Sequence, residues 1–298
     1  MTMTVPRPLA RPDRGAPPRP WPGSSNAYRN ELVEAAWFSD WVGGAPEPAR
    51  TALGTAAVRL TGGGVATSMR HDPVAYWSKA LGFDRPVDRA VIAEVVASYV
   101  AAGTPSATIQ IAPALLPADW DDIRAEFGLT ADSTWIKLAG PADAPLDVPP
   151  GLQVGPVAPA DLDEWADVVF RGFGMPTEHL PSLAAASARR GTVQAFGVRV
   201  GADLVAGASL AIVDGVGALL GAATLPGYRG LGAQTALIGI RVRAARLQGV
   251  HRVVAETGKP APGERGPSLD NLLRAGLAPR YERVDWGWTN PAGRAETR

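Results

Sequence analysis

The segment Pro226-Gly227-Tyr228-Arg229-Gly230-Leu231-Gly232-Ala233-Gln234 stands between an apolar run, Val216 to Thr224, and an amphipathic stretch, Thr235 to Gln248. The run reads as a buried strand. The stretch reads as a helix, with Leu237, Ile240, Ala244 and Leu247 on one stripe and Arg241, Arg243, Arg246 and Gln248 on the other faces. Strand, glycine turn and helix N-terminus together make an anion cradle. Gly230 and Gly232 let the backbone come close to a ligand, and successive N–H groups with the helix dipole favour phosphate oxygens. Arg229 can supply the counter-charge. No Gly-Lys-Ser/Thr follows, which excludes a P-loop, and the third glycine and following β-α-β unit of a dinucleotide fingerprint are missing.

Upstream, the second half reads β, α, α and then three consecutive strands, Val193 to Val200, Leu204 to Ile212 and Val216 to Thr224. Gly201-Ala202-Asp203 and Asp214-Gly215 mark the turns between them. Hairpins feeding a glycine turn and a helix predict a mixed α+β sheet. Downstream come a strand (Arg252 to Glu256), a helix (Ser268 to Ala275) ending at Gly276-Leu277, and a strand containing Trp286. The first half echoes this order. A helix from Val87 to Ala102 ends at Gly103, a strand runs from Ala107 to Ile111, a helix from Ala118 to Phe127 ends at Gly128-Leu129, and a strand contains Trp135. Ahead of these lie an amphipathic helix, Tyr28 to Trp41, and strand-like segments at Ala57 to Leu60 and Val65 to Met69. The echo points to an internal duplication, although glycine after a helix is also generic α/β punctuation.

At 298 residues the chain has room for two domains of roughly 150 residues each. Residues 1–25 hold seven of the 28 prolines and read as a disordered arm. Residues 26–140 and 151–291 read as the two domains, with the proline-rich stretch 141–150 as their linker. Basic and acidic residues balance at 29 each, which disfavours nucleic acid or an anionic membrane as partner. There are no cysteines, so disulfides, thiol nucleophiles and Cys-ligated metals are excluded, and a cytoplasmic location fits. His71, His179 and His251 lack metal-ligand spacing, and no metal is expected. The longest apolar stretches, Leu204 to Val213 and Gly215 to Pro226, fall short of the ~20 residues of a membrane span. Lysine occurs only at Lys79, Lys137 and Lys259, which beside heavy Ala, Gly, Pro and Arg usage looks like a bacterial high-GC coding bias.

On Arg229, Gly230, Gly232 and the element order around them, the second half resembles the GCN5-related N-acetyltransferases (GNAT). That family's acyl-CoA loop reads Gln or Arg, two residues, Gly, one residue, Gly or Ala; Gln234 replaces the final small residue. Asn271 to Gly276-Leu277 also resembles the family. The first half is similar in element order to the degenerate halves of tandem members. Before its helix it carries Leu81-Gly82-Phe83-Asp84-Arg85-Pro86, which cannot offer a run of free N–H donors. The resemblance thus implies a GNAT-like fold in the C-terminal half, a degenerate one in the N-terminal half, and acyl-CoA binding by the second alone. Its cofactor-binding residues are then Ala222, Ala223 and Thr224 beside the pantetheine arm and Arg229, Gly230, Leu231, Gly232, Ala233, Gln234 and Asn271 around the phosphates.

The chemistry implied is attack of a small-molecule amine on the thioester of acetyl-CoA or another acyl-CoA, by a monomer or homodimer. Many family members place a tyrosine acid four residues before the glycine that ends the last helix; here that residue is Leu272. Ser268 and Tyr281 are candidate substitutes, Ser268 equally a candidate helix N-cap. Glu256, where its strand runs out toward the loop, and Glu178 beside His179 are candidate bases, each also readable as a solvated surface group. Two alternatives stay open: a non-catalytic acyl-CoA-binding or regulatory protein, and an acyl-CoA hydrolase or O-acyltransferase on the same scaffold.

Overall fold

Local signals set most of the elements. Asp214 and Gly215 take φ of 48° and 77°, the turn whose twist matches a hairpin, and join β8 (Asp203–Val213) to β9 (Val216–Thr224). Asp88 accepts a 2.9 Å bond from the Val91 N–H and so starts α3 at Arg89. A computed structural model describes residues 26–294; the arm read at 1–25 lies outside the described residues. The first half contains α1 (Asn26–Gly43), α2 (Ala49–Leu53), β1 (Thr55–Arg59), β2 (Val65–Met69), β3 (Lys79–Leu81), α3 (Arg89–Ala102), β4 (Ser106–Gln110), α4 (Trp120–Glu126) and β5 (Thr130–Pro141). Residues 143–149 take neither helix nor strand. The second half contains β6 (Gln153–Pro156), α5 (Leu162–Phe173), α6 (Leu180–Arg189), β7 (Gln194–Val200), β8, β9, α7 (Ala233–Leu247), β10 (Arg252–Gly258), α8 (Pro267–Arg274) and β11 (Ala278–Thr289).

All described strands join one sheet in the order β1-β2-β3-β4-β11-β5-β10-β9-β8-β7-β6. The halves exchange their last strands: β11 pairs with β4, and β5 pairs with β10. Apart from β6 at one edge, the arrangement is symmetric about the β5–β11 pair, in which Trp135 faces Arg283. On either side lies a parallel pair, β3 with β4 and β9 with β10, and these are the sheet's two parallel contacts. The duplicated order seen in the sequence is therefore a duplicated topology. Short β3 carries no periodicity of its own, and the sequence reading passes over it.

Alternating residues of the sheet face two helical layers. On one face α1, α5 and α6 share a single core that spans both halves, including Val33, Phe38, Trp165 and Leu183. On the other face α7 with α8 and α3 with α4 cover separate cores. Helix α1 thus lies over the centre of the molecule, against β1 to β3 and also against β8, β9 and α6. It closes the first half: a Cβ on Gly82 would sit 2.3 Å from the Ala35 Cβ, at a φ of +77°. We expect Gly82→Ala to cost about 2–3 kcal/mol in denaturant unfolding, through overpacking and the left-handed backbone. No described helix is long and apolar enough to cross a membrane.

Candidate active site

Strands β9 and β10 pair only at Val216–Arg252, Gly217–Val253 and Ala218–Val254, and then part. On the other edge of β9 the register with β8 slips between Gly207 and Ser209, with Gly221 at a φ of +50°. This is a β-bulge, and it breaks the ladder beside the opening. Arg241, on α7, answers it: Nη1 donates to the Ser209 and Leu220 carbonyls at 3.0 and 3.2 Å, and Nε donates to the Leu237 carbonyl. Burial lowers the Arg241 pKa to about 9.

Beyond β9 the chain makes a 3-10 turn at Pro226–Tyr228, and Gly230 and Gly232 take φ of +83° and +86°. Helix α7 follows at once. The N–H groups of Gly230 to Thr235 donate no hydrogen bond to any group among the described residues, so a run of donors faces outward where the helix dipole is positive. Gly230 and Gly232 to Thr235 border a cleft of about 790 Å³ lined also by Ala222, Ala223, Thr224, Ser268 and Asn271. Arg265 and Arg274 line it too, outside any motif in the sequence.

A second, inner chamber of about 370 Å³ shares Phe173, Ala222, Gln234 and Ser268 with the cleft. Its walls include Trp37 and Trp41 from α1, Tyr76 and Trp77 from the loop before β3, and Phe170 from α5. Asp72 shapes that loop by accepting from the N–H groups of Val74, Tyr76 and Trp77 at 3.0, 2.8 and 2.5 Å. Glu256 is the one carboxylate in the lining.

Behind Glu256 lies a buried ionic cluster. Arg283 Nη2 donates to Glu256 at 2.8 Å, and its Nη1 reaches Glu34 at 3.1 Å and also Glu31. Lys137 Nζ is 3.0 Å from Glu256 and also binds Glu34. The Tyr281 hydroxyl donates to Glu31 at 2.6 Å. Three carboxylates thus face two cations, and one carboxylate is in excess. Burial and the Glu34 charge push Glu256 up to about 7, against Lys137 and Arg283. Burial also pushes Glu34 up, but there Arg283 and Lys137 prevail and hold it well below the usual carboxylate range. Nearby, Lys79 Nζ lies 3.5 Å from the Tyr76 ring centroid, with its pKa lowered to about 8 by burial.

Solved structures share this architecture. A GCN5-related N-acetyltransferase from Kribbella flavida matches with a TM-score of 0.57 at 20% identity, over 87% of this chain and 96% of that one. A tandem GNAT protein from the clavulanic acid biosynthesis pathway matches with a TM-score of 0.54 at 17% identity, over 87% and 94%. The fold is that of the GCN5-related N-acetyltransferases, in tandem. No family model and no curated protein sequence matches the chain.

Within this GNAT fold most of the expected cofactor-binding residues meet at one cleft; Leu231, exposed at the loop tip, is absent from its lining. Arg229 is used differently from expectation: it ties the loop to α5 and β9 through the carbonyls of Gly172 (2.9 Å) and Thr224 (3.3 Å). Gln234, the departure from the GNAT motif, donates to Ser268 at 3.2 Å and accepts from Asn271, so its length spans from α7 to α8. Ser268 lies inside α8, whose N-cap is Gly266. Leu272 is buried in the chamber wall, and Tyr281 lines neither space. Glu178 has a side chain 87% exposed, 3.7 Å from His179, and also lines neither. In the first half the matching helix start is occupied by Asp88, and Glu94 takes the neighbouring N–H groups of Thr61 and Gly62.

Proposed function

We propose that this chain is an acyl-CoA-dependent N-acyltransferase that joins an acyl group, acetyl in the first instance, to the amine of a small molecule by direct attack. The observation that carries the reading is Glu256: a lone, proton-hungry carboxylate in a chamber that opens onto a cleft of unpaired N–H groups. Acyl-CoA supplies the activated thioester. The N–H groups of Gly230 to Thr235 hold its phosphates, and Arg265 and Arg274 add positive charge. Ala222, Ala223 and Thr224 flank its pantetheine arm. Glu256 takes the proton that the amine loses, at a pKa matched to neutral pH. Ser268, which lines both spaces, gives a hydrogen bond to the departing thiolate.

Acetyl-CoA is expected to raise the melting temperature, and thiol release is expected only with amines present. Absence of both would overturn the reading, and amine-independent release would favour a hydrolase. Gly232→Ala is expected to weaken acetyl-CoA binding about tenfold in calorimetry. The added Cβ meets Pro149 at 2.7 Å at a φ of +86°, and the left-handed backbone alone costs ~1–2 kcal/mol.

A further inference from the structure

Eight of the residues lining the inner chamber are aromatic, and they reach it from α1, the Asp72-organised loop, β5 and α5. They form a connected wall. The Trp41 and Phe170 rings stack at 5.7 Å with 17° between planes, and Trp77 lies 4.6 Å from Trp41 and 6.1 Å from Phe170. Phe173, Met175 and Val169 complete that side without adding a polar group. The polar lining, Ser209, Gln234, Arg241, Glu256, Thr257 and Ser268, comes from β8, β10, α7 and α8.

Glu256 is the one negative group in the lining, whereas Arg241 is in the wall with no carboxylate partner among the described residues, and Lys79 stands behind Tyr76. One ammonium finds a carboxylate there; a second would find no counter-ion in the lining. The rings are packed before any ligand arrives, so little ordering is lost on binding a flat apolar body.

We propose that the acceptor is a monoamine with an aromatic or similarly flat apolar body, seated among Trp41, Trp77, Phe170 and Phe173 with its nitrogen toward Glu256. The inference rests on the acyltransfer reading and names its second substrate. In the step, the ammonium gives one proton to Glu256, the neutral nitrogen forms the C–N bond as the C–S bond breaks, and the departing thiolate takes the second proton lost by the nitrogen, so that CoA is released as the thiol.

The test uses the full chain with acetyl-CoA and four amines: phenethylamine and tryptamine against spermidine and glucosamine. Expected is a kcat/KM at least 100-fold higher for the arylalkylamines. Saturable quenching of tryptophan fluorescence should follow phenethylamine but not spermidine, because Trp37, Trp41 and Trp77 are in the wall. Met175→Asp is expected to lower kcat/KM for phenethylamine about tenfold and to raise that for 1,4-diaminobutane, with circular dichroism confirming the fold. Quenching by phenethylamine without transfer to any amine would retain the acceptor class and overturn acyltransfer. Transfer to spermidine or glucosamine at an equal or higher kcat/KM, or no quenching and no transfer with either arylalkylamine, would overturn the acceptor class.

Discussion

Replacing Glu256 by glutamine is expected to lower amine-dependent kcat by about 10²- to 10³-fold, in the range lost with a general base, while leaving the Kd for acetyl-CoA unchanged. The reason is geometric first: no other carboxylate lines the chamber. The wild-type rate should climb with pH through about 7, where burial and Glu34 have pushed the carboxyl, and that limb should vanish in the variant. A stability signature accompanies it. A carboxyl whose folded pKa lies above its unfolded value contributes stability that is fully present below the unfolded pKa and lost as pH rises through the folded one. Glutamine does not titrate. The Tm of E256Q relative to wild type should therefore rise between pH 5 and pH 9. An unchanged rate and pH profile would remove Glu256 from the chemistry.

The largest effect on stability is expected at Arg283. Its side chain is fully buried and binds Glu31 and Glu34 of α1 and Glu256 of β10. Arg283→Met leaves three carboxylates with Lys137 alone. Removing one partner from a buried ionic group costs ~3–5 kcal/mol, because the charge left behind is neither solvated nor paired; in a chain of this size that is a Tm lower by about 10 °C. Adding Glu34→Gln should return part of the loss, since it removes one of the stranded charges. A double variant whose losses simply add would show that the two groups are not coupled.

What the sequence discloses is what neighbours in the chain decide. Asp214-Gly215, the glycines after α3, α4 and α8, and the run from Pro226 to Gln234 act within a few residues, and each stands where the sequence predicts it. Glu256 is legible as a carboxylate where the strand from Arg252 runs out toward the loop that follows. The rest of its cluster is not. Glu31 and Glu34 sit three apart on a helix, which in a sequence looks like a solvated face, yet α1 is covered on both sides by the two halves. One signal was available: lysine is rare, and Lys79 and Lys137 both stand in apolar strand-like surroundings, where a cation requires a reason to be buried. Strand exchange has no local signature, because it is decided by pairings such as Gln110 to Asp285, 175 residues apart.

That exchange has a consequence for how the protein is made. A ribosome delivers β4 and β5 long before β11, the strand that must lie between them. Until β11 emerges, the first half holds an open sheet edge on each side of the gap, of the sort that templates association with other chains. The nascent first half therefore has to wait unsealed, and native pairing closes over long sequence distances, which predisposes the chain to slow folding. Two units that share their central strands are thus a single product of synthesis, whose quality is decided by the last strand to arrive.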